Sequence, residues 1–229
     1  MGKPQHYSAD LPARCLQLLE ELQPHASQIF MPRQDKGLGP LTATFALTMA
    51  IPIITLPYER LYNLDNADFH YADDRQLKDE LTASVKTEMG LEKLSHSQFY
   101  RPDVWRFVTV DRPPFFNLGK EFPHPVSESL SQEAAVSAAA DMPVSLWISC
   151  LRNALAHGGI AYLDEKGFPS YGQPIKMYAF VSGKYDRTGE RRQLVRLNIL
   201  RINQTDFIQF LRDWVDWLQK SGIELDAAA

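Results

Sequence analysis

The octet Arg152-Asn153-Ala154-Leu155-Ala156-His157-Gly158-Gly159 gathers a guanidinium, a carboxamide and an imidazole. That trio suits a phosphodiester. A guanidinium offers paired N–H donors to non-bridging phosphate oxygens. An imidazole exchanges protons near neutral pH, and a carboxamide can orient either partner. RNA brings its own nucleophile, the 2′-hydroxyl. A site that cleaves it need only move protons and steady the charge that accumulates around phosphorus. The candidate catalytic residues are therefore Arg152, Asn153 and His157.

The element that must hold them is a helix over about 144–157. Trp147, Ile148, Leu151 and Leu155 recur on one helical face, and Gly158-Gly159 stops the run. Asn153 and His157 are four residues apart and share a face. Arg152 and His157 are five apart, roughly 140° around the axis at about 100° per residue. Arg152 must reach around with its long side chain to serve the same site. Ala154 and Ala156 leave room there. The same residues also fit ordinary capping, because Gly favours the left-handed turn that ends a helix and a cation suits its carbonyl end.

Arg-Asn-x-x-x-His, here Arg152, Asn153 and His157, is an instance of an Arg-x4-6-His motif with a polar residue after Arg. It resembles the signature of the HEPN superfamily (higher eukaryotes and prokaryotes nucleotide-binding). Ile51 to Arg60, and Arg201 to Phe207 continuing to Trp217, also resemble a prokaryotic, plasmid- or island-borne branch of it. The resemblance implies a metal-independent endoribonuclease; the alternative is a non-catalytic domain of the same kind that binds nucleotide, RNA or a partner protein. It also implies a homodimer that joins two copies of the motif across a two-fold axis. The product would carry a 2′,3′-cyclic phosphate. A toxin or defence nuclease held by an antitoxin protein fits that branch.

Composition bounds the rest. The chain has 229 residues, 45% hydrophobic and 23% charged, as in a soluble globular protein with one generous domain. The net charge of −4 is unlike that of a general nucleic-acid binder, so RNA must meet a local basic patch. The clearest cluster runs from Lys184 to Arg201, with Lys184, Arg187, Arg191, Arg192 and Arg196 as candidate RNA-binding residues. Charged edges that discourage strand pairing explain the same cluster. Cys15 and Cys150 sit in apolar helical patterns, and with no signal-peptide pattern they predict reduced, buried thiols in a cytoplasmic protein. No Cys-x-x-Cys, His-Glu-x-x-His or Gly-rich phosphate loop is present, so neither metal nor cofactor is expected. His25 has no partner at metal spacing, and His70 with Asp73 and Asp74, conceivable as metal ligands, lack a second cluster and read as capping and solvated residues.

Along the chain, periodicity predicts helices over 11–30, from about Leu41 to a kink or end near Pro52, over 72–94 and over 128–140. Leu41, Phe45, Thr48 and Met49 are the expected face of the second. Its uncharged surroundings, between Lys36 and Glu59, approach membrane-span length, but threonines and prolines argue for a core helix and no membrane. Residues 95–124 read as an irregular, aromatic, proline-rich excursion with a strand near 105–110. Alternation predicts a short strand at 160–164 and a hairpin over about 176–201, joined by a turn from Ser182 to Glu190. A last helix over about 205–220 carries Trp214 and Trp217 as core residues. The expected architecture is one mainly α domain over 1–229: a HEPN-like antiparallel helical bundle with a small β-hairpin between motif helix and last helix.

Overall fold

The computed structural model describes residues 7–25, 41–62, 79–170, 174–186 and 193–221. The chain forms two compact units, one from residues 1–90 and 208–229, the other from 91–207.

In the first unit, α1 (Tyr7–Leu22) and α2 (Thr42–Ala50) are followed by wide helical turns at Ile51–Thr55 and Tyr58–Tyr62, then by α3 (Asp79–Met89). Pro52 explains the change of winding. It has no N–H to donate and its ring crowds the preceding turn, so the α-helix ends and a wider turn takes over. The buried face of α2 is Ala43, Ala46, Leu47 and Ala50, not the larger side chains that periodicity favours. Small residues let other segments approach closely. Thr48 instead turns outward and bonds the Thr44 carbonyl at 2.8 Å. On α3, which is shorter than the helix expected over 72–94, Val85 and Met89 are buried. Leu77, His70, Asp73 and Asp74 lie outside the described residues. The last helix, α7 (Gln204–Lys220), belongs to this unit from Ile208 on. There the buried Trp214 indole donates to the Ile53 carbonyl at 2.9 Å, and Arg212 meets Glu20 at 2.6 Å.

The second unit corrects the expected helical bundle. It is built on a four-stranded antiparallel sheet, so the fold is an α+β mix. The strands β1 (Arg106–Val110), β2 (Ile160–Leu163), β3 (Met177–Asp186) and β4 (Gln193–Asn203) lie in the order β1-β4-β3-β2. The hairpin is therefore the centre of a sheet, with the two short strands added to its outer edges. Helices α4 (His124–Ser131), α5 (Glu133–Asp141) and α6 (Val144–His157) precede β2. Gln132, in extended conformation, separates α4 from α5. The Arg106 guanidinium donates to the Gln132 carbonyl at 3.2 Å, which also accepts from the Ala135 N–H at 3.1 Å.

Alternation gives the sheet two apolar faces. Ala161, Leu163, Ala179, Leu197 and Ile199 pack with Phe122 and Leu130 on one side. On the other, Tyr178, Phe180 and Phe207 form an aromatic cluster with centroids 5.3–6.0 Å apart. The aromatics of the proline-rich excursion serve as core: Phe99 stacks on Trp147 and Trp105 meets its edge. Among the described residues, no single helix is long and apolar enough to cross a membrane.

The two glycines after α6 do different work. Gly158 has φ +71°, the left-handed cap, and its N–H bonds the Ala154 carbonyl. Gly159 sits where the chain crosses onto the sheet; a Cβ there would collide with the Val181 carbonyl oxygen. We predict that Gly158→Ala costs about 1 kcal/mol, the usual price of a lost left-handed glycine. Gly159→Ala should cost more, about 1–3 kcal/mol, because backbone must move. Thermal denaturation of the two variants checks the order, and equal losses would refute the crowding at Gly159.

Both cysteines are buried and unpaired. Burial raises the Cys15 thiol and pushes Cys150 up to about 12, so the reactive thiolate is scarce at neutral pH. Native protein at pH 8 should leave Cys150 unalkylated by iodoacetamide, whereas unfolding in guanidinium should expose it. Rapid native labelling would show that the thiol is not sealed.

Candidate functional site

Helix α6 is set in place from both ends. At its start, the Val144 N–H donates to the Leu91 carbonyl at 3.1 Å and the Leu94 N–H to Met142 at 2.7 Å. Trp147, Ile148, Leu151 and Leu155 are all buried, as the spacing predicts. At its end, the Val181 N–H donates to the Gly159 carbonyl at 2.7 Å, which lays the exit strand against β3.

Arg152 and Asn153 are half-buried and joined. The Arg152 Nη1 donates to Asn153 Oδ1 at 2.7 Å, and Asn153 Nδ2 donates to Ser182 Oγ at 3.2 Å. The carboxamide thus has one end fixed by a cation and the other by a strand. Ser182 itself is buried. By register it pairs with Asn198, which pairs with Thr109, giving one polar row across the sheet. The buried Asn198 Oδ1 has no hydrogen-bond partner among the described residues.

His157 lies one turn beyond Asn153 and is exposed. No hydrogen bond joins it to Arg152 or Asn153 among the described residues. The structure therefore brings two of the three motif residues together and leaves the imidazole open on the surface. A concavity of about 450 Å³ near Asp164, Lys166 and Lys176, and another of about 170 Å³ near Phe122 and Tyr162, are lined by none of the three.

The expected basic cluster is divided. Lys184 is exposed on β3. Arg196, its partner across the hairpin, binds the Asp111 carboxylate. That guanidinium, and then the Thr109 hydroxyl, hold the Asp111 carboxyl below its usual range. Arg187, Arg191 and Arg192 lie outside the described residues. Ser182 to Asp186, expected as turn, continue the strand. Ser182 was not singled out by any sequence pattern; only the pairing of α6 with β3 gives it a role. Among the described residues, no group of three or more His, Cys, Asp or Glu is placed to hold a metal ion.

No protein-family model, curated protein or solved structure matches this chain.

The Asn153–Ser182 contact is open to direct measurement. Ser182→Ala should cost about 0.5–1.5 kcal/mol, as for a neutral hydrogen bond. In a double-mutant cycle with Asn153→Ala, a coupling of at least about 0.5 kcal/mol is expected for residues in contact. Strict additivity would mean that Ser182 does not hold the carboxamide.

Proposed function

We propose that this protein is a metal-independent endoribonuclease in which Arg152, Asn153 and His157 act on the phosphodiester. The observation that carries the reading is the Arg152–Asn153–Ser182 chain beside an exposed imidazole on the same helix end. Together with the motif's resemblance to HEPN ribonucleases, it supports a role for the guanidinium in steadying phosphate charge while the imidazole transfers protons.

The ribose 2′-oxygen forms a bond to phosphorus and its proton passes to a neutral imidazole. The bond from phosphorus to the 5′-oxygen breaks, and a protonated imidazole supplies that oxygen with a proton. The products are a 2′,3′-cyclic phosphate and a 5′-hydroxyl. One imidazole per chain serves both transfers only if two copies meet. The angular separation of Arg152 and His157 on α6 also favours a homodimer, in which His157 of one copy faces Arg152 of the other. A toxin or defence role, with an antitoxin as partner, belongs to the same proposal.

A second reading has its own support. Asn153 spends both ends of its carboxamide within the chain, which suits a rigid RNA- or nucleotide-binding surface that does not cleave.

Cleavage of a fluorescent structured RNA and a tRNA pool in EDTA separates the two. Wild type should cut and leave cyclic-phosphate ends. His157→Ala should lose about 10²-fold or more and Arg152→Ala about 10²–10³-fold, with both variants folded by circular dichroism. If the three proteins behave alike, the nuclease reading falls.

A further inference from the structure

Arg106 and Arg201 stand directly opposite each other across the β1–β4 pair. By alternation they belong to the sheet face of Ala179 and Ile199, not to the face of Ser182 that meets Asn153. Like charges at opposed positions repel, and such a pair destabilises a sheet. One of the two is also buried: Arg201 is 6% exposed.

The two guanidinium groups converge on three consecutive residues at the end of α4. Arg106 Nη1 donates to the Leu130 carbonyl at 3.5 Å and to the Gln132 carbonyl at 3.2 Å. Arg201 Nη1 donates to Ser131 Oγ at 3.1 Å. Gly167 lies against that bond, since a Cβ there would sit 2.6 Å from Arg201 Nη1 and 3.8 Å from Ser131 Oγ. Ser131 is exposed and Arg106 half-buried, so the pair borders solvent on that side. The Ser131 hydroxyl in turn donates to the Ser127 carbonyl at 3.0 Å. The Ser127 hydroxyl is buried and has no hydrogen-bond partner among the described residues.

These contacts orient the two cations without neutralising them. Their acceptors are two carbonyls and a hydroxyl, and neither arginine makes a salt bridge among the described residues. Of the neighbouring acids, Asp164 accepts from the Lys166 and Phe168 N–H groups, and Glu128 meets His124 at 3.3 Å. Burial, and then the charge of Arg106, pull Arg201 down to about 10, so it is still a cation at neutral pH. The more exposed Lys93, Arg196 and Arg212 each have a carboxylate partner. Arg201, whose charge is the hardest to desolvate, has none. The carbonyl end of a helix offers about half a charge. Capping of α4 therefore explains where the guanidinium groups lie and leaves most of their charge unmatched.

We propose that Arg106 and Arg201 bind a phosphate dianion, either free orthophosphate or the terminal phosphate of an organic ester. Two guanidinium groups match a double negative charge, and each offers paired N–H donors to its oxygens. A carboxylate would neutralise only one of them. A phosphodiester also carries a single charge, so this site differs in chemistry, as in place, from the one proposed on α6. It does not rest on the ribonuclease reading.

The test uses the full chain at pH 7.5, where phosphate monoesters are largely dianionic. The thermal midpoint is followed in chloride, orthophosphate, glycerol 3-phosphate, dimethyl phosphate and acetate at equal ionic strength. Orthophosphate or glycerol 3-phosphate at about 10 mM should raise the midpoint by about 3–6 °C over chloride, as for a Kd of about 1 mM. Dimethyl phosphate and acetate should raise it by no more than about 1 °C, as for affinity at least tenfold weaker. A larger rise with orthophosphate identifies the free ion as occupant, and a larger rise with the ester identifies a phosphorylated organic molecule; both uphold the site. Arg201→Met should abolish the rise. Arg106→Gln keeps an N–H donor for the α4 carbonyls but removes the charge, and it should at least halve the rise even if Arg201→Met does not fold. Arginines that only cap α4 would give variants with lower midpoints and an undiminished phosphate response, which overturns the proposal. No rise with either phosphate, or an equal rise with acetate, overturns it too.

Discussion

The close approach of Gly159 to β3 is the constraint on which the second unit depends. Helix α6 cannot end against the sheet unless the chain first reverses at Gly158 and then passes a backbone carbonyl at a distance no side chain tolerates. Once it does, the Val181 N–H closes onto the Gly159 carbonyl and β2 is aligned beside β3. The same junction fixes which residues of the helix meet the sheet. Asn153, one turn before the end, faces Ser182, one residue past Val181. Helix register and strand register are thus set at a single point.

Local pattern made much of this legible. The bounds of α6 follow from one apolar stripe and a Gly stop, and the second strand of the hairpin follows from alternation in Val195, Leu197 and Ile199. What pattern could not show was pairing between distant segments. β1 joins β4 across some ninety residues of sequence, and a five-residue strand at Arg106–Val110 says nothing about its neighbour. Without that pairing, the hairpin looked like an appendage to a helical bundle; with it, the hairpin is the middle of a sheet. The failure on α2 has another cause. Periodicity weights large residues, whereas Ala43, Ala46 and Ala50 are buried because they are small enough for close packing.

The candidate site was legible in composition more than in geometry. Arg152, Asn153 and His157 were found by residue type, but their separation around the helix left open how they meet. Ser182 had no signal, because a serine near a hairpin reads as a turn residue until the strand is seen to continue. The basic cluster shows the same limit of pattern at one position. A sequence shows the charge of Arg196 but not the Asp111 carboxylate that already occupies it.

Helix capping accounts for part of the octet and not for all of it. The backbone N–H groups of Gly158 and Gly159 both reach the Ala154 carbonyl, so the turn that ends α6 is completed by main chain. Capping therefore explains the glycines and accommodates a basic His157. It gives no reason for a guanidinium to be held against a carboxamide that is itself tied to a buried serine. Fixing those long side chains costs conformational entropy, and a partly buried cation costs solvation. An alanine-rich helix end would avoid both costs. What these residues share is orientation: the guanidinium, the carboxamide and the Ser182 hydroxyl each fix the direction of the next, from the last turns of α6 to the middle of β3.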